Sequence, residues 1–282
     1  MEKKARAILH FHYAGGYHRP VSLRVLGKTA IRALIRAAIR DVSICVGNFF
    51  FKYRDAVAPL VFLALVLTTK PRLAFGSVQG DLLLDATGVL LVALAQGLRA
   101  AVIGYAYIVR GGKDKRVYAE SLVHEGFFAH SRNPLYLANL LGIFGLLVTH
   151  NSPWAYAIGI PFSLFLYLTI VMAEESFLAR KFGGDYERYR QRVPRFIPNF
   201  RGLDQTLGGM TYNWKRLVSK EYGTTFNGGG MILLLLGWES YRNFGYARSQ
   251  DRFMLLGLLF VLLVIAYATA RYMKKTGMLD AG

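Results

Sequence analysis

Long apolar runs alternate with charged or turn-forming stretches along the chain. A membrane core of about 30 Å requires roughly 20 apolar residues in a helix. Residues 153–173 and 253–272 meet this length, with a single charge, Arg271, near the end of the second run. Residues 82–109 are also long enough but contain Asp85, Gln96 and Arg99, and shorter apolar runs cover residues 56–69, 135–148 and 231–238. This pattern predicts an all-α integral membrane protein with about six membrane helices or half-helices.

A basic repeat precedes the first apolar run. Arg24, Lys28, Arg32, Arg36 and Arg40 recur every four residues, and mostly apolar residues lie between them. Residues four apart lie on the same face of a helix. The repeat therefore predicts an N-terminal amphipathic helix on the membrane surface. The alternative is a solvated charged face on a helix that packs against the bundle.

The charge balance favours a membrane over nucleic acid as the partner of this basic chain. Of the 282 residues, 54% are hydrophobic and 18% are charged, yet the net charge is +18. Such a bias suits the anionic surface of a bilayer. Nucleic-acid binding is not expected, because the apolar blocks leave little soluble surface for a binding domain. The single cysteine, Cys45, excludes an internal disulfide and a cysteine-based metal site.

Basic residues also predict the orientation. The first forty residues contain nine Lys or Arg and one acid, Glu2, so the positive-inside rule predicts a multi-pass topology with a cytoplasmic N-terminus. Alternating crossings then place residues 110–116 and 174–220 inside and residues 149–152 outside. The basic residues on the predicted outer side are Lys70, Arg72, Arg248 and Arg252.

We divide the chain into three parts. Residues 1–50 form a basic membrane-surface segment, residues 51–200 form a transmembrane core with a cytoplasmic-side cofactor site, and residues 201–282 form a linker and a C-terminal transmembrane hairpin. The run Asn227-Gly228-Gly229-Gly230 has turn-forming composition and predicts a break before that hairpin.

A positive helix start is predicted at Arg132-Asn133-Pro134. A residue before proline favours an extended backbone, and proline suits the first helical turn. Free backbone N–H groups, the helix dipole and the Arg132 guanidinium would favour an anion such as a carboxylate. Alternatively, Arg132 is only an anchor at the membrane interface and Pro134 only starts the helix.

Two adjacent acids, Glu174 and Glu175, follow residues 153–173 at the end of the predicted helix. Acids are costly near a membrane and oppose the dipole of a helix C-terminus, so a compensating cation is expected. It is either a ligand ammonium or sulfonium, or a side chain such as Arg132, Arg180 or Lys181. Because a short turn at residues 150–152 makes a hairpin, Arg132 and the two acids are predicted neighbours. Such a pair would suit the amino-acid part of S-adenosylmethionine.

An ordered set of short motifs extends over roughly residues 80–200. The motifs are Leu122-Val123, Gly126, Arg132-Asn133-Pro134-x-Tyr136, Glu174-Glu175-x-x-Leu178, Phe182-Gly183-x-x-Tyr186-x-x-Tyr189 and Val193-Pro194-Arg195. The set resembles the isoprenylcysteine carboxyl methyltransferase family and the related phospholipid N-methyltransferases. The resemblance implies a multi-helix membrane fold that binds S-adenosylmethionine on its cytoplasmic side and methylates a lipid-like acceptor.

The resemblance also implies roles for single residues. The implied cofactor-binding residues are Arg132, Asn133, Pro134, Tyr136, Glu174 and Glu175, with His124 and Gly126 on the approaching loop. The implied catalytic residues are Glu175, Tyr186, Tyr189 and Arg195. Two features depart from the family: Asn133 replaces the histidine of an Arg-His-Pro triplet, and the Gly-x-Gly of the phospholipid enzymes does not occur between Gly97 and Glu174.

Methyl transfer from a sulfonium depends mostly on positioning, and it requires no metal. No metal site is predicted, because the histidines near the N-terminus have no carboxylates close by; these are His10, His12 and His18. An amine or thiol acceptor would need a base, and the candidates are His124, Glu175, Tyr186 and Tyr189. His130 is expected to be a solvated loop residue. Arg99, with Asp85 and Gln96, would contact an acceptor that enters from the bilayer, or would bond only within the bundle.

Two other classes of protein remain open at this point. A membrane sterol or enone reductase would share the Tyr-x-x-Tyr and Val-Pro features and would bind NADPH, but two acids at the site would repel its 2′-phosphate. A scaffold or transporter is the non-enzymatic alternative. A transporter should carry polar residues at mid-membrane in several helices, whereas here they cluster near the predicted cytoplasmic ends. The acceptor itself stays open among a phospholipid amine, a prenylcysteine-type carboxylate, a quinone-like ring and a small thiol.

Overall fold

The computed structural model describes residues 28–106 and 117–279, with side chains from Ile31 onward. Arg24, the three N-terminal histidines and the basic loop 110–116 lie outside the described residues. The described part is helical, with eight α-helices and two 3-10 turns (Ala74–Gly76 and Gly126–Ala129). The helices are α1 (Lys28–Thr68), α2 (Val78–Tyr105), α3 (Pro134–His150), α4 (Pro153–Phe182), α5 (Gly184–Arg192), α6 (Leu203–Gly208), α7 (Trp214–Phe244) and α8 (Gln250–Lys275).

Three of these helices, α2, α4 and α8, are long and apolar enough to cross a membrane, and α3 is a shorter apolar helix. With the apolar parts of α1 and α7, they form one bundle in which α2 packs on α3, α1 on α4, and α7 on both α2 and α8. The predicted all-α membrane fold is therefore confirmed.

Small residues set the distance between the paired helices. A Cβ atom added to Gly88 of α2 would lie 2.0 Å from Thr149 Oγ1 of α3, and one added to Gly145 would lie 2.6 Å from the Gly88 carbonyl oxygen. On the other pair, a Cβ on Gly47 would lie 1.9 Å from the Thr169 carbonyl oxygen. Close backbone approach of this kind holds membrane helices together where the hydrophobic effect between them is weak.

The predicted break at residues 227–230 is wrong, because α7 continues through the whole run. Gly228 lies against α2, where an added Cβ would be 2.6 Å from Gln96 Nε2, and Gly229 lies against α8, where it would be 3.1 Å from Leu263. The glycines therefore serve as close-packing positions between two helices. The apolar run 231–238 is accordingly the middle of a long helix rather than a short membrane element.

Helix α1 joins the basic repeat to the first apolar run without interruption. Its 41 residues correspond to about 60 Å, roughly twice the thickness of a membrane core, so part of it must lie outside the core. Ile35 and Ile39 in its N-terminal half are 54% and 60% exposed, as expected for apolar side chains that meet lipid beside arginines. The proposed boundary at residue 50 lies within α1, and the division into three parts stays a prediction.

Two glycines of α2 offer a matched test of this packing. Gly88→Ala should destabilise the protein by about 1–3 kcal/mol, because the new methyl group overlaps α3. Gly97→Ala should be neutral or stabilise by up to about 1 kcal/mol, because no described atom lies within 4 Å of its added Cβ. Thermal unfolding in detergent measures both. Equal midpoints for the two variants would show that α2 and α3 are not in close contact.

Candidate active site

The α3–α4 hairpin brings the predicted positive helix start to the acidic helix end. Its turn is closed by Asn151, which adopts a left-handed backbone conformation with φ of 41°. At the other end of the hairpin, Arg132 Nη1 lies 3.2 Å from Glu175 Oε1, and both side chains are buried. The predicted proximity of these groups is therefore confirmed, and Glu175 is the acid that makes the ion pair.

A second arginine completes this ion pair. Arg195 Nη2 donates to Glu175 Oε2 at 2.6 Å, and Arg195 Nε donates to Oε1 at 3.2 Å. Two-point pairing of a guanidinium with a carboxylate is a strong, directional interaction. Glu175 thus links α3, α4 and the segment after α5.

That segment, residues 193–199, lies along the loop before α3, and we call it the strap. The Arg132 amide donates to the Pro194 carbonyl at 2.9 Å, and the Asn133 side-chain amide donates to the Arg195 carbonyl at 3.0 Å. Asn133 therefore makes this contact through its side-chain amide, whereas the family that the sequence resembles has a histidine at this position. His130 is buried, with Nδ1 2.6 Å from the Asn199 carbonyl oxygen, so the expectation of a solvated loop histidine is wrong.

Glu174 makes a separate network, one position earlier on α4. The Tyr136 hydroxyl donates to Glu174 Oε1 at 2.6 Å and accepts from Arg54 Nη1 at 3.1 Å. The Arg54 guanidinium also lies 4.4 Å from the centre of the Phe51 ring. Helix α1 thereby supplies a charged group that the sequence analysis did not identify. The available signal was a short charged group, Lys52, Arg54 and Asp55, between apolar stretches of that helix.

A cavity of about 790 Å³ opens between α1, α2, α3, α4 and α7. Its polar part is lined by Arg54, Arg132, Asn133, Tyr136, Glu174 and Tyr189. Its apolar part reaches Leu65, Leu147 and Gly159, and extends about 20 Å along α3 by the helical rise. The cavity is therefore polar at one end of the bundle and mainly apolar along its depth, where Gln96 and Arg99 also line it.

Other predicted site residues lie beside the cavity rather than on its lining. Glu175 and Arg195 lie behind it, in the ion pair already described. His124 is exposed on the approaching loop. Gly126 has φ of 56° and packs against Met210, where an added Cβ would be 3.3 Å from the sulfur atom. Gly126 therefore has a backbone role, because this conformation and this space both favour glycine.

Tyr189 of α5 holds the loop before α3, and both Tyr186 and Tyr189 stay protonated. The Tyr189 hydroxyl donates to the Phe128 carbonyl at 2.7 Å, and its ring centre lies 6.1 Å from that of Tyr186. Burial raises the pKa of Tyr186 to about 12 and also raises the pKa of Tyr189. At neutral pH both hydroxyls can donate hydrogen bonds, but neither can act as an anionic base.

Arg99 lines the cavity and also bonds within the bundle. Its Nε donates to Glu221 Oε2 of α7 at 2.8 Å, and its Nη1 donates to Asn139 Oδ1 of α3 at 2.5 Å. Gln96 likewise lines the cavity, whereas Asp85 does not and pairs with Arg252. Arg99 therefore bonds within the bundle, and its contact with an acceptor stays a prediction. Asn139 and Glu221 were not identified from the sequence.

Comparison with known proteins agrees with the resemblance in the sequence. Residues 84–185 match the family model for phospholipid methyltransferase, which confirms the predicted resemblance to this family over those residues. The chain is 35% identical over 79 residues to the cobalt-zinc-cadmium resistance protein CzcN of Cupriavidus metallidurans. It is 33% identical over 78 residues to the nickel-cobalt-cadmium resistance protein NccN of Alcaligenes xylosoxydans xylosoxydans.

These similarities are local. The matched stretches cover 28% and 27% of this chain and 36% of each relative. No solved structure matches the chain at a significant level. Helices α1, α7 and α8 and the strap lie entirely outside the family match.

The Glu175 ion pair generates a stability prediction. Glu175→Gln leaves Arg132, whose side chain is 10% exposed, without its charge partner, and should cost about 3–5 kcal/mol. The matched control is Glu187→Gln, which disrupts an exposed pair with Arg190 and should cost about 0–1 kcal/mol. Thermal unfolding in detergent compares them. A Glu175→Gln protein as stable as the control would remove the carboxylate from this central role.

Proposed function

We propose that this protein transfers a methyl group from S-adenosylmethionine to a lipid-like acceptor within the membrane. The observation that carries the proposal is the cavity whose polar end contains Arg132 and Glu174 and whose depth is apolar. The match of residues 84–185 to the phospholipid methyltransferase family supports the class of reaction. S-adenosylmethionine supplies an activated methyl group on its sulfonium.

The residues at the polar end fit the amino-acid part of this donor. Arg132 Nε and Nη1 are buried and have no hydrogen-bond partner among the described residues, although Nη1 lies within ion-pair distance of Glu175. A ligand carboxylate would satisfy these donors. Glu174 lines the same cavity and offers a negative charge to an ammonium or sulfonium. The volume lies in the range of about 300–1,000 Å³ that is usual for small-molecule sites.

We assign different roles to the two adjacent acids. Glu175 positions Arg132 and Arg195, and Glu174 faces the ligand. Glu174 is also the candidate base for an amine or thiol acceptor, because the hydroxyls of Tyr186 and Tyr189 stay protonated. Arg54 positions Glu174 through Tyr136, so α1 contributes to the site.

The apolar depth of the cavity accommodates the chain of a membrane-dissolved acceptor. Arg99, on the lining between α2 and α3, is proposed to contact the acceptor while Glu221 and Asn139 hold its guanidinium in place. We place the polar end on the cytoplasmic side, because α1 runs antiparallel to α4, with Leu65 at Gly159 and Gly47 at Thr169. The basic residues that precede Gly47 on α1 therefore continue past the Glu174 end of α4.

Binding measurements separate this proposal from the reductase alternative. Purified protein in detergent should bind S-adenosylmethionine and S-adenosylhomocysteine by calorimetry and should not bind NADPH, because Glu174 would repel its phosphates. Absence of binding to S-adenosylmethionine and to S-adenosylhomocysteine, together with clear binding of NADPH, would contradict the methyltransferase proposal.

Neutralising Glu174 tests its contact with the ligand cation. Glu174→Gln keeps an acceptor for the Tyr136 hydroxyl but should weaken S-adenosylmethionine binding about 10- to 100-fold, the factor that corresponds to roughly 1.5–3 kcal/mol for a charged hydrogen bond. Asp185→Asn, which changes an exposed acid on α5 paired with Arg188, is the control and should bind normally. Equal affinities in the two variants would place the ligand cation elsewhere.

A further inference from the structure

Three buried acids meet near the start of α2, far from the candidate active site. Asp81 and Asp85 lie one turn apart on α2, and Glu239 reaches them from α7. One oxygen of each carboxylate lies within 4.8 Å of the others, and the three residues are 3%, 4% and 1% exposed. Asp85 precedes Arg99 by fourteen residues on the same helix, which corresponds to about 20 Å.

The charges around this cluster do not balance. Arg252 of α8 pairs with Asp85, and it is the one cation that forms an ion pair with these acids in the part of the chain that the structure describes. Three carboxylates and one guanidinium leave a charge of −2 in a buried site. A buried net charge is strongly unfavourable unless it is compensated. One proton shared among the carboxylates would leave a net charge of −1, whereas a divalent cation would bring the net charge to zero.

Unsatisfied polar atoms also mark the site. Asn243 Nδ2 donates to Glu239 Oε1 at 2.8 Å, but Glu239 Oε2 is buried and has no hydrogen-bond donor among the described residues. Thr149 Oγ1 of α3 likewise lacks a partner within the described chain, and it contacts α2 at Gly88, one helical turn from Asp85. Buried polar atoms without partners are uncommon and point to a missing ligand.

We propose that Asp81, Asp85 and Glu239 bind one divalent metal ion. Three carboxylate oxygens are hard ligands that suit Mg²⁺, Mn²⁺ or Ca²⁺. The ion would join α2 to α7, and Arg252 would neutralise the remaining charge from α8. The distance from the candidate active site makes this a site that stabilises helix packing, not one for methyl transfer. Of the three acids, only Asp85 lies within the family-matched residues 84–185.

Manganese is a suitable probe, because electron paramagnetic resonance reports free Mn²⁺ directly. Chelator-treated protein in a detergent without anionic lipid should bind one Mn²⁺ per chain, and excess Mg²⁺ or Ca²⁺ should displace it. Binding should also raise the thermal unfolding midpoint, because the ion stabilises the folded state. Wild-type protein that binds no Mn²⁺ at millimolar concentration would overturn the proposal, whatever the variants do.

Variants locate the ion. Asp85→Asn and Glu239→Gln should bind Mn²⁺ at least tenfold more weakly (about 1.4 kcal/mol), and the control Asp251→Asn, an exposed acid in the first turn of α8, should bind it normally. Unchanged binding in both cluster variants would mean that the metal lies elsewhere. S-adenosylhomocysteine binding in the same samples should be unaffected by Glu239→Gln, so the outcome is separate from that of the proposed methyltransferase activity.

Discussion

The buried Glu175 carboxylate organises one end of the bundle. It pairs with Arg132 at the start of α3 and with Arg195 in the strap, so a single residue of α4 fixes both elements. Because neighbouring residues on a helix point about 100° apart, the adjacent Glu174 faces another direction and lines the cavity. Two acids that look equivalent in the sequence therefore have different surroundings, one closed by arginines and one open to a ligand.

The strap explains why the short motifs after α4 occur in the same chain as the arginine before α3: the two segments bond to each other in the fold. The backbone of Pro194 and Arg195 accepts hydrogen bonds from Arg132 and Asn133, and Tyr189 holds the Phe128 carbonyl from the other side. These contacts position the start of α3 without occupying the cavity. The cavity can then combine a polar end, set by charged groups, with an apolar depth set by the packing of α1, α3 and α4.

Local patterns in the sequence were sufficient for α2, α4 and α8 and for the α3–α4 hairpin, because length, hydropathy and a short turn determine them. Local patterns were not sufficient where packing between distant segments determines the conformation or the burial of a residue. The Asn227–Gly230 run has turn-like composition, yet the glycines are helical because α2 and α8 approach there. His130 is buried because the strap covers it. Arg54 reaches the site because α1 packs against α4. Asp85 and Glu239 also meet only in the fold, because more than 150 residues separate them in the sequence.

A crystal structure of the protein grown with S-adenosylhomocysteine would test the central claim most directly. The account predicts that the ligand occupies the polar end of the cavity, with its carboxylate within hydrogen-bond distance of Arg132 and its ammonium or sulfur on the side of Glu174, while Glu175 keeps its pair with Arg195. A ligand bound outside this cavity, or one whose carboxylate has no contact with Arg132, would contradict it.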